Sequence, residues 1–92
     1  MKARHIRKIR KELRSYKAFS VSCYHYNNGK FGEERIVMAK DSLHALHRFA
    51  TWYWRRHKEL PPYYAKKRMF ENTSNSSNFV VTDSKGFKHY YL

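Results

Sequence analysis

Cysteine is nearly absent from this sequence. Cys23 stands alone, so no disulfide can form within the chain and a fold must rest on its core. A single thiol fits a reducing compartment. Two prolines and three glycines in 92 residues exclude a collagen-like or Pro/Gly-rich low-complexity chain. No apolar run approaches the roughly 18 residues that a membrane-spanning helix requires. The N-terminus is charged but has no apolar stretch behind it, so no secretory signal is read there. A cytoplasmic location is expected, the host cytoplasm if the source is viral. On that expectation the acceptor-like tripeptides at Asn72 and Asn75 are loop composition and not glycosylation sites.

Negative charge is also scarce. Seven Asp and Glu face 20 Lys and Arg, leaving a net charge of +13. Seven scattered acids offer no carboxylate cluster for metal-dependent nuclease chemistry. Neither a Gly-rich phosphate loop nor a nucleophile elbow is present. Self-repulsion at this charge density opposes compaction, and a polyanionic partner is the natural compensation.

What is present suits one small domain spanning residues 1–92. Hydrophobic residues make up 41% and aromatics 17%, enough for one modest core and not two. Ile6, Ile9, Leu13 and Tyr16 recur at helical spacing and predict a helix over 2–16. Lys2, Arg4, Arg7, Lys8, Arg10, Lys11 and Arg14 cover most of its remaining surface. Residues 18–39 read as a hairpin. Asn28-Gly29 is a favoured pair for a two-residue type I′ turn. That turn sets Val21 opposite Ile36 and Phe19 opposite Met38, gathering Phe19, Val21, Cys23, Ile36 and Met38 on one face. Tyr24, Tyr26, Phe31, Glu33, Arg35 and Val37 would then share the other face.

Asp41 or Ser42 is a suitable N-cap for a second helix over 42–58. Leu43, Leu46, Phe49, Ala50, Tyr53 and Trp54 fall on its apolar side. His44, His47, Arg48, Thr51, Arg55 and Lys58 lie opposite, with Trp52 and Arg56 on the border. Residues 61–78 are a linker, with a possible short helix over Tyr63–Phe70 and a polar loop from Asn72 to Asn78. Phe79–Thr82, a turn at Asp83–Gly86 and Phe87–Leu92 form a closing hairpin. The expected class is α+β: a four-stranded antiparallel sheet of ββαββ type, one amphipathic helix packed on a face, and an extra basic N-terminal helix.

Three basic clusters carry the functional reading: the N-terminal segment, the outer stripe of the second helix, and Lys66-Lys67-Arg68. The phosphate-binding candidates are Arg4, Arg7, Lys8, Arg10, Lys11, Arg14, Arg48, Arg55, Arg56, Lys58, Lys66, Lys67 and Arg68. The abundance of Arg favours bidentate phosphate contact over simple solubility. Tyr24 and Tyr26, beside Arg35, are candidates for base stacking. Trp52 is a candidate anchor for a protein interface. His44-x-x-His47 makes at most half a zinc site, and Cys23 points to the expected core, so no metal and no cofactor are expected.

The expected function is non-catalytic binding of DNA or RNA, mainly through the phosphate backbone. The alternative is a small phage-type accessory or inhibitor protein, acting on a host nucleic-acid-handling or defence complex. A metal-independent ribonuclease using His, Lys, Arg and Tyr stands third, since no spacing selects a catalytic pair.

Overall fold

The structure, a computed structural model, describes residues 15–25, 30–72 and 77–92. Within them the chain forms one α-helix and a five-stranded, fully antiparallel sheet. In chain order the elements are β1 (Lys17–His25), β2 (Lys30–Ala39), α1 (Ser42–His57), β3 (Glu71–Asn72), β4 (Phe79–Thr82) and β5 (Lys88–Tyr91). The strand order is β2-β1-β4-β5-β3, so β2 and β3 form the edges. This is the expected α+β class with one strand more than expected. Glu71 and Asn72, placed by sequence in a linker and loop, pair with Tyr91 and Tyr90. The basic helix expected over residues 2–16 lies outside the described residues except for Ser15, in a turn, and Tyr16, in no regular element.

The helix begins as its sequence dictates. Asp41 is extended, and its carboxylate accepts a hydrogen bond from the His44 N–H at 2.7 Å. This satisfies one of the donors that a helix N-terminus leaves unpaired. The helix ends at His57, where Lys58 adopts the left-handed conformation (φ 60°) and its N–H reaches the Trp54 carbonyl. One face of α1 buries Ala45, Leu46, Phe49, Ala50 and Tyr53 against the sheet. Phe19, Val21, Cys23, Phe79, Val81 and Tyr91 meet them from the strands. Each large apolar side chain enclosed there contributes about 1.5–3 kcal/mol.

The register of the first hairpin differs from expectation by one residue. Phe19 pairs with Val37, and Val21 pairs with Arg35. Cys23 pairs with Glu33 but Tyr24 with Phe31, so Gly32 is the extra residue of a bulge. Past the bulge His25 pairs with Lys30, which leaves four residues between the paired strands. The expected Asn28-Gly29 turn itself lies outside the described residues. A slip of one residue exchanges the faces of a strand. Val37 and Ala39 therefore point toward α1, while Ile36 and Met38 are 71% and 48% exposed on the opposite face. Residues 36–39 are apolar at all four positions, so alternation could not choose between the two registers.

No helix forms over 63–70. Tyr63 is left-handed (φ 68°), which a right-handed helix does not allow. Two turns take its place, with the Tyr64 N–H bonded to the Pro61 carbonyl and the Arg68 N–H to the Ala65 carbonyl. Pro61 and Met69 are buried, pinning the linker to the core as it crosses to the far edge of the sheet. In the closing hairpin the Asp83 carboxylate accepts from the Lys85 and Phe87 N–H groups, and Gly86 takes the positive φ (86°) of the turn.

Candidate nucleic-acid interface

The outer side of α1 is a ridge. Arg48, Thr51 and Arg55 lie exposed along it, as do Arg56 and Lys58 near its C-terminal end. A groove flanks the ridge on each side, and Arg48 and Thr51 line both.

The first groove, of about 510 Å³, runs between α1 and the edge strand β2. Arg35, Arg48 and Arg55 converge on it, with Val37 and Trp52 among its walls. The register explains the convergence, because Arg35 is on the helix-facing side of β2 rather than beside Tyr24. Its guanidinium sits 4.5 Å from the centre of the Trp52 ring. Arg56 approaches the same ring at 6.0 Å. Half-buried Trp52 packs against the core and meets Phe49 at 5.7 Å. Its ring thus lies between the core and the two guanidinium groups. Arg35 therefore leaves the stacking group proposed from sequence. Tyr24 instead lies 6.1 Å from the Tyr63 ring, and Tyr26 is outside the described residues.

The second groove, of about 580 Å³, lies between α1 and the linker. Trp54 and Leu60, 50% and 51% exposed, form its apolar walls. His44, His47, Arg48, Tyr64 and Lys66 supply its polar rim. His47 Nδ1 and the Tyr64 hydroxyl are 2.7 Å apart. Burial, then the charges of Lys66 and His44, hold the His47 imidazole below its usual pKa. Burial also raises the Tyr64 phenol, so at neutral pH an uncharged imidazole and an uncharged phenol share this hydrogen bond. The Lys40 N–H bonds His44 Nδ1 at 3.0 Å. Sequence placed Trp54 in the core, but the apolar arc of α1 is wider than the sheet beneath it, and Leu43 and Trp54 remain outside.

Tyr16 ties the N-terminal side of the chain to the same ridge. Its ring stands 5.6 Å from His44 and within 6 Å of the Arg48 guanidinium and the Lys40 ammonium. Residues 1–14, with seven of the 20 cations and the phosphate-binding candidates Arg4, Arg7, Lys8, Arg10, Lys11 and Arg14, lie outside the described residues. Of the Lys66-Lys67-Arg68 cluster, Lys66 reaches the second groove, and Lys67 and Arg68 are exposed on the linker.

Among the described acids all but Glu59, exposed next to Lys58, have partners of their own. Asp41 caps α1, Asp83 closes a turn, and Glu34 accepts from Ser20. Glu33 meets His57 at 3.1 Å, and Glu71 meets His89 at 2.7 Å. Among the described residues no Lys or Arg is in an ion pair with Asp or Glu. No three His, Cys, Asp or Glu side chains among them are arranged to hold a metal ion. No described helix is long and apolar enough to cross a membrane. The chain matches no known protein family, no curated protein and no solved structure.

Proposed function

We propose that the chain is a non-catalytic nucleic-acid-binding protein that grips its ligand mainly by the phosphate backbone, along the outer side of α1. The observation that carries this reading is the convergence of Arg35, Arg48 and Arg55 on one groove with no carboxylate paired to any of them. Cations gathered without counter-charges repel one another, and a row of phosphates relieves that repulsion while releasing condensed counterions. Stacking on Trp52 holds the Arg35 side chain in place before a ligand arrives, lowering the entropy cost of binding. Arg56, Lys58, Lys66, Lys67 and Arg68 widen the positive field around the groove, and residues 1–14 supply seven further cations. Arg4, Arg7, Lys8, Arg10, Lys11 and Arg14 belong to this second clamp.

The test is a mobility shift with duplex DNA, single-stranded DNA and structured RNA at 50 and 200 mM salt. Contact with about six phosphates weakens binding roughly a thousandfold across that interval, with every probe recovered intact. A shortened RNA would instead favour a ribonuclease centred on His44, His47, Tyr64 and Lys66. Shallow salt dependence, with a partner protein retained, would favour the accessory or inhibitor reading.

A further inference from the structure

The second groove carries a feature that phosphate binding does not use. It has polar groups on its rim and apolar walls, formed by the half-exposed Trp54 indole and Leu60 together with the buried Ala50. Its volume, about 580 Å³, falls within the range of ordinary small-ligand pockets, roughly 300–1,000 Å³. Trp52 is the less accessible indole, half-buried with two guanidinium groups near its ring, whereas Trp54 is 50% exposed with a single cation, the Lys58 ammonium, 5.6 Å from its ring centre. Arg48 and Thr51 belong to both grooves, so a strand lying in the arginine groove meets the second one by crossing a single helix ridge. Arg48 and Lys66 on the rim are unpaired cations, placed to neutralise a phosphate on either side of a bound base.

We infer that the second groove takes an unpaired nucleobase against Trp54 and Leu60, and that the ligand is therefore a single strand and not a duplex. This rests on the phosphate-binding reading above and narrows its ligand class. In a duplex every base face is already stacked on its neighbours, so nothing is available to fill an apolar groove of this kind. In a single strand each base has a free π-face, and an indole flanked by cations matches the base–phosphate alternation of the strand.

The experiment compares binding of the full chain to strands of about 20 nucleotides. The probes are single-stranded DNA and RNA, the matching duplexes, and an abasic strand with the same number of phosphates. The base-bearing single strands should bind tenfold or more tighter than duplex, and the abasic strand should fall to the duplex level. Trp54→Ala should lose about tenfold on base-bearing strands and nothing on abasic or duplex probes, and Trp54→Phe should recover most of the loss. Duplex binding equal to or tighter than single-strand binding would overturn the inference. So would an abasic strand bound as well as its base-bearing counterpart, an outcome that does not depend on any variant folding. Failure of the phosphate reading looks different: no probe binds, or all bind with shallow salt dependence, and then both fall.

Discussion

The two sides of α1 obey opposite rules. The inner side closes around Leu46, Phe49 and Tyr53, leaving no charge and almost no exposed surface. The outer side gathers Arg48, Arg55, Arg56 and Lys58, none of them in an ion pair with Asp or Glu. The same sixteen residues thus supply the core and the candidate binding surface. The contrast shows how a basic 92-residue chain can fold without neutralising itself. Among the described residues Asp41 serves as cap, Asp83 closes a turn, Glu33 and Glu71 partner histidines, and no Lys or Arg is in an ion pair with Asp or Glu.

That division of labour breaks most visibly at Phe49, which is fully buried. Phe49→Ala should destabilise the fold by about 3–5 kcal/mol and lower the melting temperature sharply. On the outer side, Thr51→Ala should change stability by no more than about 0.5 kcal/mol in a denaturant titration, because that side chain is exposed and only bonds back to the His47 carbonyl. Comparable losses at the two positions would mean that the outer side is structural as well. Between these extremes lies the helix start. Asp41→Ala removes the cap and should cost about 1 kcal/mol, read from the same titration.

The smallest effect concerns pH. Folding holds His47 below its usual pKa near 6.5, chiefly by burial, so the unfolded chain takes up this proton more readily than the folded one. Its contribution is therefore complete above about pH 6.5 and declines as pH falls below it. Melting temperatures between pH 7.5 and 5.5 should show this decline, and His47→Gln should flatten it.

Much of this contrast was legible in the residues. The Asp41/Ser42 start, the apolar positions Leu46, Phe49, Ala50 and Tyr53, and the basic stripe all follow from local chemistry and the 3.6-residue period. The closing hairpin follows from the Asp83–Gly86 turn. What was not legible depended on pairing. The bulge at Gly32 is a tertiary choice, and with it went the faces of Ile36, Met38 and Arg35. The first groove was therefore invisible, because its third arginine comes from β2 and not from α1. Trp54 and Leu60 were missed for a related reason: periodicity shows which side of a helix is apolar but not how much of that side a sheet can cover. β3 was missed because two residues, Glu71 and Asn72, carry no strand pattern of their own.

The central claim is that Arg35, Arg48 and Arg55 act as one phosphate clamp. It is tested most directly by the salt dependence of binding to a single-stranded probe, compared between the native chain and a variant carrying Arg35→Gln, Arg48→Gln and Arg55→Gln. The variant should melt within a few degrees of the native chain, while the slope of log K against log salt should shrink by about two to three units, roughly 0.7–0.9 per lost phosphate contact. An unchanged slope in a folded variant would contradict the account.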